Sequence, residues 1–179
     1  MYANIPIKGS ANGEPTYEGM GNGQNGLGWW QGEEAWTQLM HGGTMGVVYG
    51  AATLWQWKVS PTEKGWDSWT DQATSWKEAM AMEGSMYVGL VGKILKDYDL
   101  TDIEKRFDLA QGKPLLAKKD QLYISYLNEG GAIDIPSVPL GLEYYWANPK
   151  TGKTTPRKKV VQTTFRSPDT NPWVLIIGK

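Results

Sequence analysis

Two carboxylates close together near the amino end are the residues best suited to chemistry. They are Glu14 and Glu18, in the run Asn12-Gly-Glu-Pro-Thr-Tyr-Glu-Gly19. They sit where an extended stretch gives way to a glycine-rich loop, and strand ends are where barrel hydrolases carry acids and nucleophiles. Pro15 restricts Glu14 to an extended backbone. Tyr17 lies between them, with a hydroxyl able to hold a carboxylate ionised. The competing reading is two solvated glutamates in a polar loop. Spacing alone favours it, because glutamate is common on surfaces.

A second constellation is Tyr49-Gly-Ala-Ala-Thr-Leu-Trp-Gln-Trp57. Flat rings at Trp55 and Trp57 suit the C–H faces of sugars, and an amide suits hydroxyls. Core packing of the same two rings fits the pattern equally well. The lone His41 reads as a capping or core residue rather than a base. With no Cys and a single His, a transition-metal site lacks its usual ligands, and no metal or other cofactor is expected. Glu63, Asp67 and Asp71 offer carboxylates for a hard cation, without the spacing of a calcium loop. Gly21 to Gly26 matches G-x-G-x-x-G literally, but no helix opens on it, so a dinucleotide site is rejected. The basic run Lys153–Lys159 reads as the solvated edge of a hairpin.

The elements that must position these residues fall into two regimes. In the first, apolar residues at Ala35, Trp36, Leu39 and Met40 predict a helix over Glu33–His41, stopped by Gly42 and Gly43. Met45–Leu54 is apolar and rich in small residues, and predicts a strand buried on both faces. A second helical region begins at Trp76. Its later part carries the stripe Tyr87, Leu90, Val91, Ile94 and Leu95, with Gly84 splitting the region in two. In the second regime the period shifts to two. Gln121–Leu127 places Leu122, Ile124 and Tyr126 on one face. Ala132–Ile135, Glu143–Trp146, Val160–Phe165 and Trp173–Ile177 are further strands, separated by Asn- and Gly-rich turns.

Composition agrees with two regimes. Of the 179 residues, the first hundred carry 6 basic and 11 acidic side chains, and the remainder carry 12 and 8. Eight of the ten tryptophans lie between Trp29 and Trp76. Net charge is −1, so bulk charge offers no reason to expect nucleic acid as a partner. The longest weakly polar run, Met45–Trp57, is too short for the ~20 residues of a spanning helix, so no membrane span is expected. No basic segment followed by an apolar one opens the chain, so no export signal is expected in it. A length of 179 residues is below the ~200 or more that a whole eight-fold β/α barrel needs.

Taken in order, these pieces resemble the C-terminal part of the apiosidase-like glycoside hydrolases. The resemblance runs through Asn12–Glu18, Trp36, Gly42–Gly50, Leu54-Trp-Gln-Trp57, Met82-Glu-Gly-Ser85 and Leu90–Leu95. It continues through Tyr123–Leu127, Tyr145–Gly152, Phe165 and Trp173–Ile177. It implies an α/β part followed by an all-β part. Residues 1–100 would be the last two βα units of a TIM-type (β/α)8 barrel, and 101–179 a small antiparallel β-sandwich. Tyr2–Glu14 would be the seventh strand and Met45–Leu54 the eighth. By the same resemblance Glu14 is the catalytic nucleophile, with Glu18 the second choice, and Tyr17, Tyr49, Trp55 and Trp57 line the sugar cleft.

The resemblance implies a retaining hydrolase with a carbohydrate substrate, and a secreted or periplasmic protein. Its general acid would come from an earlier strand, supplied by a second chain or an N-terminal barrel segment. The chain alone is therefore expected to be inactive. In the family the sandwich carries a collagen-binding label, so a carbohydrate- or matrix-binding module without catalysis is the alternative. Trp146 and Trp173, the two tryptophans of that half, stand in apolar strand contexts where core packing is expected instead.

Overall fold

The computed structural model describes residues 9–21, 25–64 and 74–179. Four helices come first: α1 (Trp29–Met40), α2 (Ala52–Trp55), α3 (Trp76–Ala79) and α4 (Gly84–Leu95). Eight strands follow: β1 (Glu104–Lys105), β2 (Leu116–Lys118), β3 (Leu122–Leu127), β4 (Ala132–Asp134), β5 (Glu143–Ala147), β6 (Lys158–Lys159), β7 (Thr164–Arg166) and β8 (Trp173–Gly178). All pairs between these strands are antiparallel. Six of them form one sheet in the order β1-β2-β3-β8-β5-β6, and β4 pairs with β7 in a second.

The centre of the large sheet is buried on both faces. Leu122, Ile124 and Tyr126 of β3, with Val174 and Ile176 of β8, pack against Trp36, Leu39 and Met40 of α1 and Val88, Val91 and Leu95 of α4. On the opposite face, Tyr123, Trp146, Leu175 and Ile177 pack against Ile133 of β4 and Phe165 of β7. Every residue of β3 and β8 is therefore buried. The single polar member, Ser125, meets the rule for buried hydroxyls by donating to the Pro114 carbonyl at 2.6 Å. Trp146 and Trp173 are both buried in this core. The basic run ends in the exposed edge strand β6, where Lys159 lies 3.1 Å from Glu143.

The helical expectations stand close to the structure. α1 begins four residues earlier than the expected start at Glu33, and Gly84 opens α4 where the split was expected. His41 is exposed and caps α1, its Nδ1 2.9 Å from the Thr37 carbonyl. Short strands β1 and β2 had no periodic signal and were not expected.

The strand over Met45–Leu54 is a correction. Residues 46–50 belong to no ladder, and the segment then turns into α2. Met45 is 73% exposed and Val48 41%. One parallel bridge, Glu18 with Ala51, is the pairing this stretch makes among the described residues. A strand is stable only when neighbouring strands take up its N–H and C=O groups, and here one residue does so. Residues 2–8 of the expected seventh strand, Tyr2–Glu14, lie outside the described residues. Its remainder, 9–14, forms no ladder either, although Met45 N–H donates to the Ser10 carbonyl at 3.1 Å.

Candidate functional site

The two glutamates have opposite environments. Glu18 is 2% exposed. Its Oε1 accepts from Gly28 N–H at 2.7 Å and from Gly84 N–H at 3.2 Å. Its Oε2 accepts from Tyr49 Oη–H at 2.6 Å and from Gly84 N–H at 3.0 Å. Gly28 is the residue before α1 and Gly84 is the first of α4. One carboxylate thus ties together the positive ends of the two 12-residue helices, where N–H groups have no helical partner. The contact is close enough that a Cβ on Gly84 would lie 2.3 Å from Glu18 Oε2, so only glycine fits there. Burial, with the bond to Glu18 behind it, pushes the Tyr49 hydroxyl far above its usual value of 10.

Glu14 is exposed and faces an open groove of about 570 Å³ lined also by Pro15, Thr16, Tyr17, Met20 and Glu34. Tyr17 Oη–H donates to Glu14 Oε1, and that bond is the main reason the Tyr17 hydroxyl is raised above its usual value. The Tyr17 ring is fixed from both sides. It stacks on Trp55 with ring centroids 6.3 Å apart and an angle of 26°. Gly50 sits against its edge, where a Cβ would lie 2.2 Å from Tyr17 Cδ1. Glu34, on α1, accepts from Thr16 N–H at 3.2 Å and so anchors the backbone between Glu14 and Tyr17.

Trp55 and Trp57 are exposed, 54% and 63%, so the core reading of this pair is corrected. Alternation along a strand would have put both on one side, but the α2 turn separates them. Trp57 has a positive φ of 56° and stacks on Trp76 instead, with centroids 5.2 Å apart and planes 3° from parallel. The expected site residues therefore divide. Glu14, Tyr17 and Trp55 form one cluster, Glu18 and Tyr49 a buried second, and Trp57 a third with Trp76. Sequence reasoning missed Glu34, Gly28, Gly50 and Gly84 as site-building residues. The glycines carried the available signal, since a glycine beside a functional side chain marks close approach of backbone. No group of three or more potential metal ligands occurs among the described residues. Asp67 and Asp71 lie outside them. No helix of the described residues is long and apolar enough to cross a membrane.

This arrangement of helices and antiparallel sheet is shared with solved glycoside hydrolases. A glycoside hydrolase family 5 protein from Bacteroides vulgatus superposes with a TM-score of 0.78 over 99% of this chain, at 17% identity. A second structure, described as a glycoside hydrolase, gives 0.70 over 99% at 17% identity. The chain spans 43% and 44% of those two proteins. The fold is therefore one found within glycoside hydrolases. Residues 1–102 match the model of the apiosidase-like catalytic domain, and the chain belongs to that family. No curated protein sequence matches it.

Proposed function

We propose that the chain is the C-terminal part of a retaining glycoside hydrolase that cleaves glycosidic bonds in side chains of plant or microbial polysaccharides. In this reading, residues 1–100 contribute the last βα units of a barrel, and 101–179 form a sandwich that covers its helices. Glu14 is the nucleophile. The observation that carries the assignment is its contrast with Glu18. Glu14 is solvent-facing in a groove within the family-matched segment, whereas both oxygens of Glu18 are occupied by backbone N–H groups and Tyr49. A carboxylate so engaged has no free lone pair aimed at a substrate. Tyr17 holds one oxygen of Glu14 and leaves the other for the anomeric carbon.

In the first step the Glu14 oxygen bonds to the anomeric carbon as the bond to the leaving oxygen breaks. A carboxylic acid about 5–5.5 Å from Glu14 gives that oxygen its proton. In the second step water, deprotonated by the same residue, displaces Glu14 and releases the sugar. In this reading the acid comes from an earlier strand of the barrel, outside this chain. Trp55, stacked behind Tyr17, offers an apolar face to the sugar, and Tyr49 supports the wall of the cleft through Glu18.

The test is Glu14→Gln in the protein carrying the whole barrel. Hydrolysis of aryl-glycosides is expected to fall by several orders of magnitude with folding intact, since a covalent nucleophile has no substitute. Activity near that of the parent enzyme would remove Glu14 from the mechanism. The 179-residue chain assayed alone is expected to turn over neither aryl-glycosides nor pectic oligosaccharides. Missing acid catalysis alone is worth roughly 10²–10⁴ in rate. Turnover abolished by Glu14→Gln in that chain would place the acid inside it.

A further inference from the structure

Three Asn-Gly pairs fall early in the chain: Asn12-Gly13, Asn22-Gly23 and Asn25-Gly26. Such a pair has a chemistry of its own. The backbone nitrogen after an asparagine attacks the carboxamide of that asparagine, and glycine, with no Cβ to obstruct the approach, permits this best. Asn22-Gly23 lies outside the described residues. The other two pairs have opposite surroundings.

Asn25-Gly26 is held fast. Asn25 N–H donates to the Met20 carbonyl at 3.0 Å, and the Asn25 carbonyl accepts from Gly19 N–H at 2.9 Å. The Gly26 carbonyl accepts from Gln31 Nε2 at 2.8 Å. A Cβ on Gly26 would lie 3.2 Å from both Thr16 Cγ2 and the Tyr17 carbonyl oxygen. Backbone so tied on both sides resists the rotation that brings the Gly26 nitrogen onto the Asn25 side chain. Asn12-Gly13 is the reverse. Residues 11–14 are all exposed, and a Cβ on Gly13 would meet nothing within 4 Å. Asn12 Oδ1 accepts from Glu14 N–H at 3.1 Å. This Asx turn folds the carboxamide back over the following peptide. It also sets an N–H donor on the oxygen that becomes negative when its carbon is attacked, as backbone donors do in stabilising oxyanions.

We propose that Asn12 is a self-modification site, converted by attack of the Gly13 nitrogen into isoaspartate and aspartate, and that this conversion switches off Glu14. The Gly13 nitrogen gives its proton to hydroxide and bonds to Asn12 Cγ, and the displaced electron pair moves to Oδ1. That pair returns as the Cγ–Nδ2 bond breaks, and the side-chain nitrogen takes up a proton and leaves as ammonia. Water then opens the resulting succinimide. Opening at Cγ gives aspartate. Opening at the backbone carbonyl carbon gives isoaspartate, whose main chain runs through the former side chain. In sum one water is consumed and one ammonia released. Either product adds a carboxylate two residues from Glu14, and like charge disfavours the ionised form that a nucleophile needs. Isoaspartate also lengthens the main chain by one carbon just ahead of Pro15, which is buried. The effect on Glu14 rests on its reading as the nucleophile; the modification does not.

The experiment incubates the full chain in heavy-oxygen water at mildly alkaline pH, digests it, and reads the Asn12 and Asn25 peptides by mass spectrometry. A protein-isoaspartate methyltransferase labels the isoaspartate. In the folded chain, conversion at Asn12 is expected to run about tenfold ahead of Asn25. In the chain unfolded by urea the two rates should converge, since both asparagines precede glycine. Gly13→Ala leaves Asn12 in place and should slow its conversion about tenfold, through the hindrance of a Cβ. The proposal is overturned if Asn12 stays unmodified in the folded chain, if Asn25 keeps pace with it there, or if Gly13→Ala reacts as the parent does. The effect on Glu14 is read in the protein carrying the whole barrel. Hydrolysis should fall in step with the modified fraction, while Gly13→Ala aged alongside keeps its initial rate. If Glu14→Gln abolishes hydrolysis and full conversion of Asn12 leaves it unchanged, the switch is wrong and the nucleophile reading stands. If Glu14→Gln stays active, the nucleophile reading fails and the switch with it, while the self-modification is still decided by the mass measurement.

Discussion

Ile176 in β8 and Trp55 at the end of α2 are both large and apolar, yet one is fully buried and the other more than half exposed. The contrast extends to the regions around them. In the sheet, β3 and β8 bury every residue between two apolar layers. In the stretch from Met45 to Val59, Met45, Val48, Trp55, Trp57 and Val59 are all exposed. The sheet region closes its own core, because strands on both sides take up the backbone groups of its central members. The loop region forms no ladder and is held by one parallel bridge, by hydrogen bonds such as that of Tyr49 to Glu18, and by two aromatic stacks, among other contacts. Apolar burial is concentrated in the first region, and exposed rings in the second.

The contrast would break first at the sheet centre. Ile176→Ala removes a buried side chain that touches both helices' layer and its neighbouring strands, and should cost about 2–5 kcal/mol. Chemical denaturation of the chain measures it. A loss under 1 kcal/mol would mean that the sheet is not the stable region. Next in size is the buried carboxylate that borders the loop region. Glu18→Ala leaves the N–H groups of Gly28 and Gly84 without their acceptor inside the protein, each such loss costing about 1–3 kcal/mol. Hydrogen exchange should then rise at the first turns of α1 and α4 and not in β3 or β8. Equal rises in all four would show that the regions unfold as one unit.

A smaller effect is readable from pH. Tyr49 holds its proton more tightly folded than unfolded, because burial and the adjacent Glu18 carboxylate disfavour the phenolate. Its contribution is complete below the unfolded value near 10 and is lost as pH rises past it. Thermal stability should therefore begin to fall above about pH 10, and Tyr49→Phe should flatten that fall. An unchanged slope in the variant would detach Tyr49 from the carboxylate. The smallest change belongs to the open stretch itself. Val48→Thr, at a 41% exposed position, should shift stability by no more than about 0.5 kcal/mol. A larger loss would mean that something covers this segment in solution.

Much was legible before any coordinates. The 3.6-residue stripes located α1 and α4, and the alternation of Leu122, Ile124 and Tyr126 assigned the face of β3 that meets the helices. The continuous apolar run of β8 is what a strand covered on both faces requires. The same reasoning failed at Met45–Leu54, whose small apolar residues imitate a buried strand. Composition reports that a segment tolerates burial, and says nothing about whether partners are there to pair with it. β1 and β2 escaped notice because two or three residues are too few to show a period.

The site divides along the same line. Residue types and spacing by themselves picked out Glu14, Glu18, Tyr17, Trp55 and Trp57 without deciding between chemistry and a bland role, and the family resemblance, not spacing, gave them and Tyr49 a place in a sugar site. Residue type and spacing did not rank the two glutamates, alike in type and four residues apart; the resemblance put Glu14 first. Only the tertiary structure separated them. It brings the amino ends of α1 and α4, residues 28 and 84, onto Glu18, and leaves Glu14 with Tyr17 in the open groove. A carboxylate's role depends on which donors fill its lone pairs, and here those donors come from chain segments up to 66 residues away.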